Sequence, residues 1–336
     1  MNNHGPAVMT TVQSKSQFGK IRKLLFGVLC SCFFMALPLS ARVQSAYVTN
    51  FGDNTVSVID TATQTILKTI PVGKNPYGVA VGPGGKFVYV TNATDGTVSV
   101  ISTATNKVVG SPIQVGTFPV AVAVAGRFAY VANFSSHDVT VIDTRTRRVA
   151  VQSIPAGFNP TSVAIAATAN GTYAYVSNFG DVSVTVIDTA NNQVVDSIPV
   201  DFDPNVLAVT PDQGYIYLAI YGDGTVSVID TSTNTVTASI AVGTNPVGIS
   251  IMPNGDWAYV TNDGDNTISV ISTATNTVLG TPIPVGTNPT SVAFTRNGKF
   301  AYVTNFGSNT VSIINTNTKA VSTLSVGTNP AYVAIR

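Results

Sequence analysis

Glutamate is missing altogether: all 16 acidic residues of the chain are aspartate. Glutamate favours helices and aspartate favours turns and caps, so its absence argues against long helices. Charge is sparse as well, at 10% of 336 residues. Five of the 17 bases (Lys15, Lys20, Arg22, Lys23 and Arg42) precede residue 47, which leaves 12 bases against 16 acids beyond it. That acidic balance disfavours a nucleic-acid partner. The one basic cluster there, Arg145, Arg147 and Arg148, reads as a solvated turn. The two cysteines, Cys30 and Cys32, lie inside an N-terminal apolar run, so the rest of the chain has no disulfide framework and no thiol chemistry. Histidine is nearly absent too. Beyond the N-terminal segment only His137 occurs, in a hairpin tip, without a second histidine or a glutamate to orient or assist it.

The first 46 residues differ in kind from the remainder. Lys20, Arg22 and Lys23 precede the apolar run Leu24–Leu39, interrupted at Pro38, and small residues follow at Ser40, Ala41, Ser45 and Ala46. This order reads as a cleaved export signal ending near residues 41–46, because the run falls short of the roughly 20 residues needed to span a bilayer. The sequence therefore predicts an exported protein, periplasmic, cell-surface or secreted, with no integral membrane span in the mature chain and a single domain over 47–336.

What is abundant is Thr, Val, Asn, Gly and Ser, arranged in a repeat. Tyr47–Asp60 (YVTNFGDNTVSVID) returns as Tyr89–Ser102, Tyr259–Ser272 and Tyr302–Asn315 with small changes. Aligned on tyrosine, seven copies start at Tyr47, Tyr89, Tyr130, Tyr175, Tyr217, Tyr259 and Tyr302, spaced by 41 to 45 residues. That period is the length of one four-stranded propeller blade. The first strand of each unit follows a proline and carries a small residue at its centre, Ala80, Ala123, Ala164, Ala208, Ser250, Ala293 or Ala334, as crowding near a ring axis requires. The unit beginning at Tyr47 lacks a first strand, and residues 329–336 supply one in excess. The sequence thus predicts an all-β fold, a seven-bladed β-propeller of four-stranded antiparallel blades whose ring closes when the C-terminal strand joins the N-terminal blade.

The phrases Y-V-T-N, V-S-V-I-D and I-P-V-G-x-x-P over residues 47–336 resemble the YVTN-family β-propeller repeats of surface-layer and secreted proteins. That resemblance implies a secreted or surface scaffold without an assigned reaction. Lactonase-type propellers share the architecture, but architecture alone does not carry function.

Candidate sites follow from departures in the repeat. The residue after the second strand is aromatic in five copies, Phe51, Phe134, Phe179, Tyr221 and Phe306, which reads either as packing between blades or as a binding rim. Copy five breaks the pattern most: Asp201 and Asp203 stand where V-G-x-x-P is expected, beside Asp223, a candidate acidic site. The aspartates at five hairpin tips, Asp53, Asp95, Asp181, Asp223 and Asp265, belong to separate blades and read as turn formers, so no metal site is expected. No catalytic residue and no cofactor are expected either. The reading is a non-enzymatic scaffold that binds a protein or a cell-envelope glycan or polymer through its loop face. A lactonase-like hydrolase or lyase using the central opening is the alternative, and a purely structural surface-coat module is a third.

Overall fold

The computed structural model describes residues 44–336, and the segment read as an export signal lies outside them. Seven antiparallel sheets are formed from the seven repeats. In blade two the strands run Pro76–Val81, Phe87–Asn92 and Thr97–Ser102, innermost first, with an outer edge at Lys107–Val108 and Ile113–Gln114. Blade one is made from both ends of the chain. Ser45–Asn50 pairs with Thr55–Asp60 on one side and with Pro330–Ile335 on the other, with Tyr47 opposite both Val58 and Ala334. The ring is therefore closed by the C-terminal strand, as expected. The first strand begins at Ser45, two residues ahead of Tyr47, and Ser45 accepts a hydrogen bond from the backbone of Arg336 (2.9 Å).

Each letter of the Y-V-T-N phrase has a separate structural task. The seven tyrosines are at most 1% exposed. Their hydroxyls latch neighbouring blades together: Tyr47, Tyr130 and Tyr175 donate to the side-chain oxygens of Asn106, Asn192 and Asn234 in the next blade, each at 2.9 Å. Between blades six and seven that asparagine is replaced by Lys319, whose Nζ donates to Tyr259 (2.8 Å). The valine fills the core. The threonine ties the strand to inner strands: Thr49 Oγ1 donates to the carbonyl of Tyr77 in the next blade (2.6 Å), and Thr91 Oγ1 accepts from the Gly78 amide of its own (2.8 Å). The asparagine, fully buried, brackets its hairpin, as Asn50 does by donating to Thr55 and Ser57 (both 2.9 Å). These bonds satisfy the amide nitrogen and both hydroxyls; the Asn50 side-chain oxygen has no partner among the described residues, whereas Asn92 Oδ1 accepts from the Gly73 amide (3.1 Å).

Every inner strand starts at a proline whose preceding residue is left-handed: Asn75, Phe118, Asn159, Asp203, Asn245, Asn288 and Asn329 all have φ between 51° and 60°. Asparagine tolerates that region better than most residues. In blades two and six the outer strand is split, at Gly110-Ser111-Pro112 and Gly280-Thr281-Pro282, because proline has no N–H to give the ladder.

Candidate functional site at the mouth of the central channel

The loops preceding the inner strands and the hairpin tips of the middle strands meet at one end of the ring, joined by bonds such as Phe51 N–H to the carbonyl of Asn329 (3.0 Å). At that end lies a cavity of about 280 Å³ lined by side chains of blades one to five, among them Tyr77, Phe118, Phe134, Phe179, Asn205 and Tyr332. Its walls come from two layers. The residue just after the inner-strand proline contributes Tyr77, Val120, Thr161 and Asn205. The outer layer is the row that follows the middle strand, with Phe134 and Phe179.

Tyr332 sits at a place where the other inner strands carry Gly78, Ala121, Ser162, Val206, Gly248 and Ser291. A ring in a column otherwise small reaches across the channel. It packs against the apolar cluster of blades five and six, around Val206 and Ile249, and against that of blades one and two, around Val79 and Tyr47. Its centroid lies 5.3 Å from that of Tyr77, at 51°. Tyr77 meets Phe51 edge-on at 6.1 Å, and Phe51 lies 6.1 Å from Phe306. Phe118 and Phe134 are likewise 6.1 Å apart at 60°. Among the described residues neither the Tyr77 nor the Tyr332 hydroxyl has a hydrogen-bond partner. Both rings keep some surface open to the cavity, yet burial raises both phenol pKa values. The charge of Asp263 raises that of Tyr77 further, and Tyr77 does the same for Tyr332.

Asp263, in blade six, is the carboxyl group that breaks the aromatic row. It is half-buried, and desolvation raises its pKa, partly offset by a hydrogen bond from Asn288. A half-buried carboxyl whose pKa is raised is the kind of group that active sites use.

The five rim aromatics separate by environment. All are half-buried, so none is sealed between blades. Phe134 and Phe179 line the cavity, and Phe51 and Phe306 extend its ring cluster. Tyr221 is held apart, its hydroxyl accepting from Asn245 (3.1 Å). Sequence reasoning missed Tyr77, Phe118, Tyr332 and Asp263. The available signal was positional: each is the odd residue in its column of the repeat.

Asp201 and Asp223 are exposed and Asp203 half-buried. Among the described residues no three acidic or histidine side chains gather as metal ligands. The tip aspartates serve their own blades, Asp53, Asp181 and Asp265 each accepting a backbone N–H at 2.6 Å. Asp223 has no such bond. Blade five explains why: Ile220 replaces the bracketing asparagine, leaving Thr225 Oγ1 and Ser227 Oγ without partners. With that amide gone, Asp201 can take the place of a glycine whose counterparts, Gly73 and Gly243, would drive a Cβ to 2.5 Å from the asparagine side chain. His137 also has a structural task. Its Nδ1 accepts from the Asn159 amide (3.1 Å), as Asn54 Oδ1 does from Asn75 (2.8 Å), and its ring lies 4.8 Å from that of Phe158.

No protein-family model matches the chain, and no curated protein sequence does either. Solved structures do match. A chain of Kuenenia stuttgartiensis hydrazine synthase is 25% identical with a TM-score of 0.72, over 81% of this chain and 92% of that one. A candidate 6-phosphogluconolactonase of Bacteroides uniformis is 16% identical with a TM-score of 0.76, over 87% and 99%. The dihydro-heme d1 dehydrogenase NirN is 18% identical with a TM-score of 0.64, over 87% and 75%. At such identities the fold is what is shared, and no substrate passes with it. The likenesses nevertheless overturn two expectations, that the chain is no enzyme and that it is a non-enzymatic scaffold: the propellers it resembles are those of a synthase, a dehydrogenase and a candidate lactonase.

Proposed function

We propose that the chain is an exported enzyme of the hydrolase or lyase kind, lactonase-like in working at the mouth of its central channel. The observation that carries this reading is a half-buried carboxyl, Asp263, set in the row of residues that otherwise rims the mouth with rings, whose charge raises the Tyr77 phenol pKa. A base acts best when its pKa approaches the working pH, and desolvation moves Asp263 in that direction. Tyr77 and Tyr332 stay neutral, and neutral donors in a water-poor pocket stabilise a developing oxyanion. In opening a cyclic ester, Asp263 takes a proton from water as the water oxygen adds to the carbonyl carbon. The two phenols donate to the oxygen that gains charge. Collapse then breaks the ring C–O bond, and the leaving alkoxide recovers the proton from Asp263.

The test is ring opening of a panel of small lactones, followed by acid release. Asp263→Asn should lower kcat/KM by about 10²–10⁴-fold. Activity should rise with pH as the carboxyl ionises, at a pH above that of an ordinary aspartate. A variant as active as the parent would overturn the reading. Kinship with YVTN-type surface proteins rests on the repeat phrases. Export rests on the signal-like segment, with cleavage ahead of Gln44, since Ser45 and Ala46 are strand residues paired with Asp60 and Ile59.

A further inference from the structure

We infer that the occupant of the channel mouth is an organic cation of the quaternary-ammonium type. This names the substrate class of the site proposed above, and it rests on that site being the one used. Two independent features point the same way.

The first is the shape and chemistry of the cavity. Rings from four blades, Tyr332, Tyr77, Phe118 with Phe134, and Phe179, face one space of about 280 Å³. The measured ring pairs are tilted or edge-on, at 51° to 83°, so they form walls at angles to one another instead of a stack. Ring faces attract a cation within about 6 Å, and several faces at angles make the cage that holds tetraalkylammonium groups. One wall carries a backbone penalty: Phe118 is left-handed at φ 55° where five of the six other blades use asparagine in the same role. Strained residues persist where the surroundings over-determine them, and this one delivers a ring to the cavity.

The second is the field. The loops at this end hold an aspartate in every blade but the third and seventh, and Lys74 is the one lysine or arginine among them. The basic turn at Arg145, Arg147 and Arg148 is at the opposite end. A mouth ringed by one sign of charge concentrates ligands of the other sign. Asp263 adds one of those charges in the row that otherwise carries the rim aromatics. A phosphorylated sugar lactone would meet this field as an anion, with no arginine or lysine in the cavity wall to receive it.

The experiment is isothermal titration of the purified protein with choline and with its uncharged isostere, in which carbon replaces the quaternary nitrogen. Choline should bind at least about tenfold more tightly, the difference a desolvated cation–ring contact provides. Tyr332→Leu and Phe179→Leu should each erase most of that preference; Phe179 is half-exposed, so its variant decides the matter should Tyr332→Leu fail to fold. Equal affinity for both ligands, or a preference untouched by Phe179→Leu, would overturn the inference. Asp263→Asn should bind choline more weakly than the parent yet still ahead of its isostere, because the ring walls remain. Cation-selective binding with no lactone opening would remove the hydrolase reading and leave the cation. Asp263-dependent opening of neutral lactones without preference for choline would do the reverse.

Discussion

Phe118 and Asn75 occupy equivalent places in successive repeats and share a left-handed backbone, φ 55° and 51°. Asn75 offsets that conformation by donating its side-chain amide to the carbonyl of Phe51 (3.1 Å), a bond a phenyl ring cannot make. A bulky residue in this region costs about 1–2 kcal/mol. Phe118→Asn should therefore stabilise the protein by about 1 kcal/mol, read as a shift in the denaturation midpoint, while weakening choline capture. A loss of stability would mean that the ring's packing against Phe134 outweighs the backbone term. The same comparison shows why the site was hard to read. Phe118, Tyr332 and Asp263 stand out only when the seven copies are stacked column by column, and which columns point into the channel is decided by the ring's curvature, not by the period of the sequence.

At the scale of the element, the bracketing asparagine and the glycine opposite form one unit. Blade five has lost both, at Ile220 and Asp201, and its two orphaned hydroxyls, Thr225 and Ser227, are the mark of that loss. Each buried group left unsatisfied costs about 1–3 kcal/mol. Restoring Ile220→Asn alone should destabilise the blade, because the Asp201 side chain fills the space the amide needs. Ile220→Asn with Asp201→Gly should exceed the parent in stability by about 1–3 kcal/mol, a strong coupling that a double-mutant cycle in urea would measure. Additive effects of the two changes would refute the pairing. Strand order and blade count were legible in the sequence because proline, tyrosine and the small inner residue recur at fixed offsets. The meaning of blade five was not, since a row of aspartates reads as a possible site until the missing amide behind it is seen.

For the whole molecule, the six hydrogen-bonded tyrosine latches make stability a function of alkaline pH. Burial pushes the phenols of Tyr130, Tyr175, Tyr217, Tyr259 and Tyr302 up to about 12 from an ordinary 10. Above pH 10 the unfolded chain releases these protons first, so the latches' contribution is complete below that value and fades between 10 and 12. The melting temperature should stay level through neutral pH and fall steeply above pH 10, with phenolate absorbance of the buried rings appearing together with unfolding. Gradual ionisation in a chain that remains folded would contradict this.

Ring closure also sets an order of events during synthesis. The hairpin Ser45–Asp60 is made before the other strands of the ring, yet its inner partner, Pro330–Ile335, is made after them. Blade one must therefore wait with an unpaired edge while the other six blades are made. A chain that begins to cross a membrane before release would carry that edge across still open and complete its circle on the far side.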